Sequence, residues 1–215
     1  ATGTAAHSQG MFTDATGTTA HAQGYNTKAL SNYAHSEGYG SIANNTAAHA
    51  EGWNTLASGL FSHASNRNTV ASATCAHAVG EGTEATADAS ASEGYYTVAS
   101  GFAGHAEGYQ TTASAYASSA GGYYTVADQV YQTAVGKYNS AAQTGVLFAV
   151  GNGTAIDMRS DALQIHEDGH AVLAGDLEFA GISLQDTLAN LNSRITALEA
   201  IIEALVGEIT PAEND

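Results

Sequence analysis

Cations are scarce in this sequence: five lysines and arginines stand against twenty-one aspartates and glutamates, a formal charge of −16 over 215 residues. Phosphate backbones need the opposite sign, which makes nucleic acid a poor partner, and the acidic balance suits a self-repelling particle. Cys75 is the single cysteine, so an intrachain disulfide and a cysteine-based zinc cluster are excluded. It shares its repeat position with Tyr33, Phe61 and Ala89 and reads as a small packing residue. No apolar run reaches the length of a membrane-spanning helix, and no secretory signal pattern opens the chain. No nucleophile elbow, phosphate loop or unique acid/base pair is present, so neither an enzyme nor a cofactor is expected.

What the chain has is repetition. AHSQG, AHAQG, AHSEG and AHAEG recur every fourteen residues and place His7, His21, His35 and His49; His63, His77 and His105 keep the register, and Ala91, Ser119 and Thr133 occupy it where the histidine is lost. A glycine column runs three residues later and is broken at Asn66. An alanine column runs from Ala15 to Ala141 without exception, and a threonine column, with Ser41 and Asn139 as its variants, lies two residues before it. Ten coils are written into residues 7–146. Ala1 and Gly3 fall into the columns of a preceding coil, which leads us to expect that the natural chain extends upstream.

A site that does chemistry is made once, so a His-x-Glu-Gly phrase repeated in a ladder is first a structural unit. Alternation puts the small residues of AHAEG on one face of a strand and His49 and Glu51 on the other. A turn at the glycine and a second short strand around Val98, Val126, Leu56, Val70 or Ile42 complete a narrow solenoid coil. At about 4.8 Å per coil, ten coils stack to roughly 48 Å. Alanine dominates the inward columns, so one chain alone has a thin core, and self-association is expected to supplement it.

These repeats resemble the head repeats of trimeric autotransporter adhesins, the YadA-like left-handed parallel β-roll. The phrases AHAEGWNTLASG and GHAEGYQTTASA are similar to the variant found in phage tail fibres. The resemblance covers about two thirds of the chain. It implies three rolls packed around a threefold axis, and a virion, extracellular or cell-surface location. No barrel strands follow the repeats, which favours a phage or other secreted fibre over a complete autotransporter; the head of a bacterial surface adhesin is the alternative.

Beyond the repeats (residues 1–145), residues 146–181 lose the period and gain a hairpin signal: Ala162 to His166, a turn at Asp168 and Gly169, then His170 to Leu173. This segment resembles the connector that follows such repeats in phage tail proteins. His166 and His170 flank the turn, where a metal is the lesser reading. Residues 182–210 carry a heptad seam, with Leu188, Ile195, Ile202 and Ile209 at a and Leu184, Leu191, Leu198 and Leu205 at d. Isoleucine at a with leucine at d leans toward two strands. Against that, RITALE, with Arg194 at g and Glu199 at e, resembles a motif of three-stranded coils. The expected fold is thus an all-β solenoid, a trimeric β-roll of fourteen-residue coils, followed by a β-hairpin connector and a C-terminal α-helical coiled coil. Pro211 ends the helix and leaves 211–215 as a free tail.

Three ladders are candidate sites. The histidines, with Glu37, Glu51, Glu93 and Glu107 beside them, read as a hydrogen-bonded structural ladder, with metal or proton binding as the sharper alternative. The aromatic column Tyr25, Tyr39, Trp53, Tyr95, Tyr109 and Tyr123 reads either as sheet packing or as a strip that contacts a host cell-surface glycan or protein. The threonine column suggests ice binding as a remote third. Partners expected are two further copies of the chain, a host receptor, and another virion protein at the coiled coil or upstream of residue 1, with no membrane insertion.

Overall fold

The structure is a computed structural model that describes residues 1–179 and 182–209. The reading of 211–215 as a tail, and the stop at Pro211, fall outside the described residues, as does the Ile209 side chain. Two compact units are present, Ala1–Val172 and a second beginning at Leu173.

The first unit is a parallel β-solenoid of about ten coils at fourteen-residue spacing. Each coil contributes a five-residue strand, such as His49–Trp53, and nearly every coil a two-residue strand, such as Leu56–Ala57. Equivalent residues stack in register: His35 pairs with His49, which pairs with His63. The long strands form one sheet, and the short strands form a second, nine-stranded sheet. The step lengthens by one residue at the end, where Thr133 pairs with Phe148. Strand Val146–Asn152 thereby joins the long-strand sheet, and Asp161–His166 pairs antiparallel with it. The expected hairpin follows, with the His166 N–H donating to the His170 carbonyl at 2.9 Å.

The interior is built from small residues because two sheets this narrow leave no room for more. The fully buried hydrophobics are alanines throughout, apart from Val146. Thr27, Thr55, Thr69, Thr83, Thr97, Thr111 and Thr125 are buried beside them. Some hydroxyls donate within the core, as Thr69 Oγ1 does to the Ser65 carbonyl (3.2 Å), whereas those of Thr27, Thr55 and Thr83 have no partner among the described residues.

The glycine does not turn the chain, contrary to the sequence reading. It lies inside the long strand. At Gly52 φ is +111°, and a Cβ there would sit 2.1 Å from the carbonyl oxygen of Asn66 on the next coil, so backbone approach excludes any side chain. Asn66 is the one replacement and keeps a positive φ of 82°, which asparagine tolerates better than most residues.

The turning is done by residues in left-handed backbone at two corners per coil. One corner runs through Tyr33, Ala47, Phe61, Cys75 and Ala89; the other runs through Asn54, Asn68, Tyr96, Gln110, Tyr124 and Tyr138. Each costs on the order of 1 kcal/mol for a residue with a Cβ. Rung bonds hold them: the Asn54 N–H donates to the Tyr39 carbonyl (2.7 Å) and the Phe61 N–H to the Thr46 carbonyl (3.1 Å). Cys75 is therefore not a small packing residue. It is an exposed corner whose side chain points away from the core, which is why the same position also takes Tyr33 and Phe61.

The short-strand sheet ends in a side-chain rung. Asn139 is fully buried in the threonine column, and its amide accepts from the Val126 N–H (2.7 Å) and donates to the Val126 carbonyl (2.8 Å). Arg159 donates to the carbonyls of Tyr124 (2.8 Å) and Asn139 (3.1 Å). Asn139 thus stands in for the strand that would come next and leaves no bare edge there.

The second unit holds a short hairpin, Glu178–Phe179 with Ile182–Ser183, and one helix, Leu184–Ile209. Ser183 caps the helix, its Oγ accepting from the Asp186 N–H (2.9 Å). Asp176 accepts from the Gln185 N–H (3.0 Å), and the Ser183 hydroxyl beside it holds its carboxyl below the usual range.

Candidate functional site

The outward face of the long-strand sheet carries the histidine ladder. His7, His21, His35, His49, His63 and His77 form an unbroken stack with ring centroids 4.6–5.0 Å apart, and His35 and His49 are nearly parallel at 5°. His105 stands alone, between Ala91 and Ser119 in register. The carboxylates sit beside the rings without tight bonds: His35 to Glu37 is 3.5 Å, His49 to Glu51 3.7 Å, His63 to Glu51 3.8 Å and His77 to Glu93 3.9 Å. The Nε2 atoms of His35, His49 and His63 are covered, and among the described residues none makes a well-formed hydrogen bond, the carboxylates lying just beyond bonding distance.

Burial first, then the neighbouring imidazoles, hold His35 and His63 below the ordinary histidine value. His63 and His77 bring their Nδ1 atoms to 3.3 Å, a distance that needs one ring to donate and the other to accept. Doubly protonated rings would put two N–H groups face to face. Burial and crowding thus favour the neutral form at His35 and His63. Among the described residues no group of three or more histidine, cysteine, aspartate or glutamate side chains converges to hold a metal ion. That includes the turn pair His166 and His170, whose rings stack at 4.0 Å while His170 Nδ1 binds Asp168 at 2.6 Å.

The aromatic column follows the glycine at one edge of the roll and is split into two stacks. Tyr25, Tyr39 and Trp53 lie 5.1 and 4.3 Å apart; Tyr95, Tyr109 and Tyr123 lie 4.9 and 5.0 Å apart. Arg67 and Glu81 occupy the two rungs between, joined at 3.1 Å. A second set of rings, not anticipated from sequence, wraps the C-terminal stack from the corner positions: Tyr96 meets Tyr95 edge-on at 4.7 Å, Tyr124 meets Tyr123 edge-on at 4.8 Å, and Tyr138 stacks on Tyr124 at 5.0 Å. Crowding by rings and charge raises the hydroxyl pKa of Tyr95, Tyr124 and Tyr138, desolvation leading in each. The doubled tyrosine in GYYTVA, at 94–99 and again at 122–127, was the available signal.

The opposite edge carries another unanticipated group, with Phe102 stacked on Tyr116 at 5.2 Å and Tyr131 edge-on to Tyr116. The threonine column, by contrast, is core. Its burial removes the face on which ice binding would rest.

The described seam residues of the helix, Leu184 to Leu205, face solvent in the single chain. Leu184, Leu188, Leu191, Ile195, Leu198, Ile202 and Leu205 range from 44% to 59% exposed. Arg194 and Glu199 are exposed beside them. Ile201 and Val206, at g and e, are also more than half exposed, so the apolar stripe is wider there than a and d alone.

No family model matches the chain and no curated protein matches it. The geometry therefore carries the functional argument: one edge with ring and polar ladders, and one helix with an uncovered apolar stripe.

Proposed function

We infer that the chain is a segment of a homotrimeric fibre of the YadA-like head type, in which the helices form a three-stranded coil that ties the chains together and the rolls form an adhesive or spacing head. A phage tail fibre or comparable virion appendage is the setting, with the head reaching or binding the host cell surface. The observation that carries this reading is the seam: seven consecutive a and d side chains of a 26-residue helix are uncovered. In proteins most of a helix's stability comes from packing of its apolar face rather than from intrinsic propensity, so a seam left uncovered along the helix asks for a partner. The apolar g and e residues Ile201 and Val206 widen the stripe beyond a strict two-stranded seam, in keeping with three strands. Repetition of a weak edge on three chains would give binding by avidity.

Sedimentation equilibrium tests the assembly. A mass of three chains is expected; a mass of one at micromolar concentration would sink the reading, and a mass of two would return the dimer that isoleucine at a and leucine at d favour. Binding of the same protein to candidate host cells then separates a receptor-reading head from a spacer.

A further inference from the structure

Six rings occupy the column after the glycine, and their stacking decides which of them could receive a ligand. A sugar ring lies flat on an aromatic face and needs polar groups at its rim for the hydroxyls. Tyr39 has Tyr25 on one face and Trp53 on the other; Tyr109 is likewise enclosed by Tyr95 and Tyr123. The stack ends are closed in their turn: Phe12 meets Tyr25 edge-on at 5.6 Å, Tyr96 meets Tyr95, and Tyr124 and Tyr138 meet Tyr123. Trp53 differs. Tyr39 covers one face of its indole, and among the described residues no ring lies against the other. It is also the most exposed of the six, at 52% against 37–43%.

The rung on the side of Trp53 that carries no ring is Arg67, its register partner, followed by Glu81. Arg67 Nη1 meets Glu81 Oε1 at 3.1 Å. Asn66 and Asn68 flank Arg67; all three are exposed, and the two amide side chains have no hydrogen-bond partner among the described residues. The break in the aromatic ladder and the one break in the glycine ladder therefore fall on the same coil. Together they place a half-exposed indole with a ring on one face only, an ion pair and two unengaged amides within two rungs.

We propose that Trp53, Asn66, Arg67, Asn68 and Glu81 form a subsite for one neutral pyranose unit of a glycan. The sugar's C–H face lies on the indole, vicinal hydroxyls bridge the guanidinium and the carboxylate, and the two amides meet the remaining hydroxyls. Glu81 balances the charge of Arg67, which is why a neutral sugar fits better than a uronic or sialic acid. The subsite deepens the adhesive reading and rests on it.

The test uses the full chain on a glycan array and in saturation-transfer NMR with the bound oligosaccharides, beside binding to host cells. Trp53→Ala should weaken glycan binding by about tenfold or more, as loss of a central aromatic anchor does. Trp53→Phe should restore part of it, Arg67→Ala should weaken it less, and Tyr109→Ala, three coils beyond Arg67, should leave it within about twofold. Circular dichroism of each variant establishes that the roll is intact. Binding of no glycan, of acidic glycans only, or equally by wild type and Trp53→Ala would overturn the subsite. Cell binding that survives Trp53→Ala would do the same while leaving adhesion standing. Glycan binding through Trp53 without any cell binding would uphold the subsite and overturn the adhesive reading.

Discussion

Among the described residues, the fully buried side chains of the roll larger than threonine are Gln132, Val146 and Asn139, whereas the helix from Leu184 to Ile209 carries large aliphatic residues along its length and leaves its described seam residues, Leu184 to Leu205, exposed. The roll gains its order from backbone: rung-to-rung hydrogen bonds, close approach at glycine, and two left-handed corners per coil. Its side chains need only be small enough to stay out of the way. The helix has the reverse character, since its own backbone is satisfied internally and its stability depends on what covers its stripe. The two units should therefore fail by different routes.

The largest effect is expected where backbone meets backbone. Gly52→Val would place a branched side chain against the Asn66 carbonyl at a φ that valine does not adopt. We expect destabilisation of about 4 kcal/mol or more, the range reached when strain and overpacking coincide, read as a lowered urea midpoint of the β-sheet signal. Gly175→Ala is the matched control, because nothing lies within 4 Å of its missing Cβ. A midpoint that Gly52→Val leaves in place would remove backbone approach as the organising contact. In the helix the corresponding change is Ile195→Asp. Burying a carboxylate in a seam is expected to weaken assembly by about 3–5 kcal/mol, giving single chains by sedimentation and lost helical signal with the β-sheet signal retained. Retention of the oligomer would mean that the rolls, and not the seam, hold the chains together.

Asn139→Ala probes the end of the short-strand sheet. Its amide makes both bonds to Val126 from a fully buried position, so its loss should cost about 1–3 kcal/mol and expose a strand edge. Hydrogen exchange at the Val126 N–H should rise well before that at Val70, in the middle of the sheet. Equal protection at the two sites would show that the Asn139 amide is not what closes the edge.

Much of this was legible in the primary sequence because stacking repeats one geometry. The fourteen-residue period, the inward alanines, the hairpin around Asp168 and Gly169 and the heptad stripe each follow from spacing. The position of the threonines was legible too. They lie two residues before the alanine column, and residues two apart in a strand share a face, so alanines inward imply threonines inward, as Thr55 and Ala57 show. What spacing could not supply was the backbone at the corners. Left-handed residues reset the alternation, and nothing in Tyr33, Phe61 or Cys75 announces a positive φ, since each is a side chain that ordinarily avoids it. The same blindness hid the wrapped tyrosine stack, because Tyr96 and Tyr124 turn back onto their own column only after such a corner. It also hid that Trp53 keeps a ring on one face only, where the corners beside it carry Asn54 and Asn68 in place of tyrosine.

The smallest effect separates the histidine ladder from the rest of the roll. His35 and His63 are held below the ordinary value of 6.5 chiefly by burial, then by His21 and His49 around His35 and by His49 and His77 around His63; Glu37 and Glu51 pull the other way. The folded rings thus bind a proton less readily than the unfolded chain does. Their contribution to stability is present above about pH 6.5 and is lost as pH falls through the lowered folded values. With 39% and 34% of these side chains exposed, solvent screens much of the effect, so a modest fall in melting temperature from pH 7.5 to pH 5 is expected. Protonation over that interval also reduces the self-repulsion of a chain with formal charge −16, which acts in the opposite direction. The wild-type slope alone therefore mixes two effects. A double variant, His35→Gln with His63→Gln, removes the contribution of these two rings and should flatten the slope or reverse it. Identical slopes for the two proteins would mean that these two imidazoles are neutral passengers on a backbone that would hold without them.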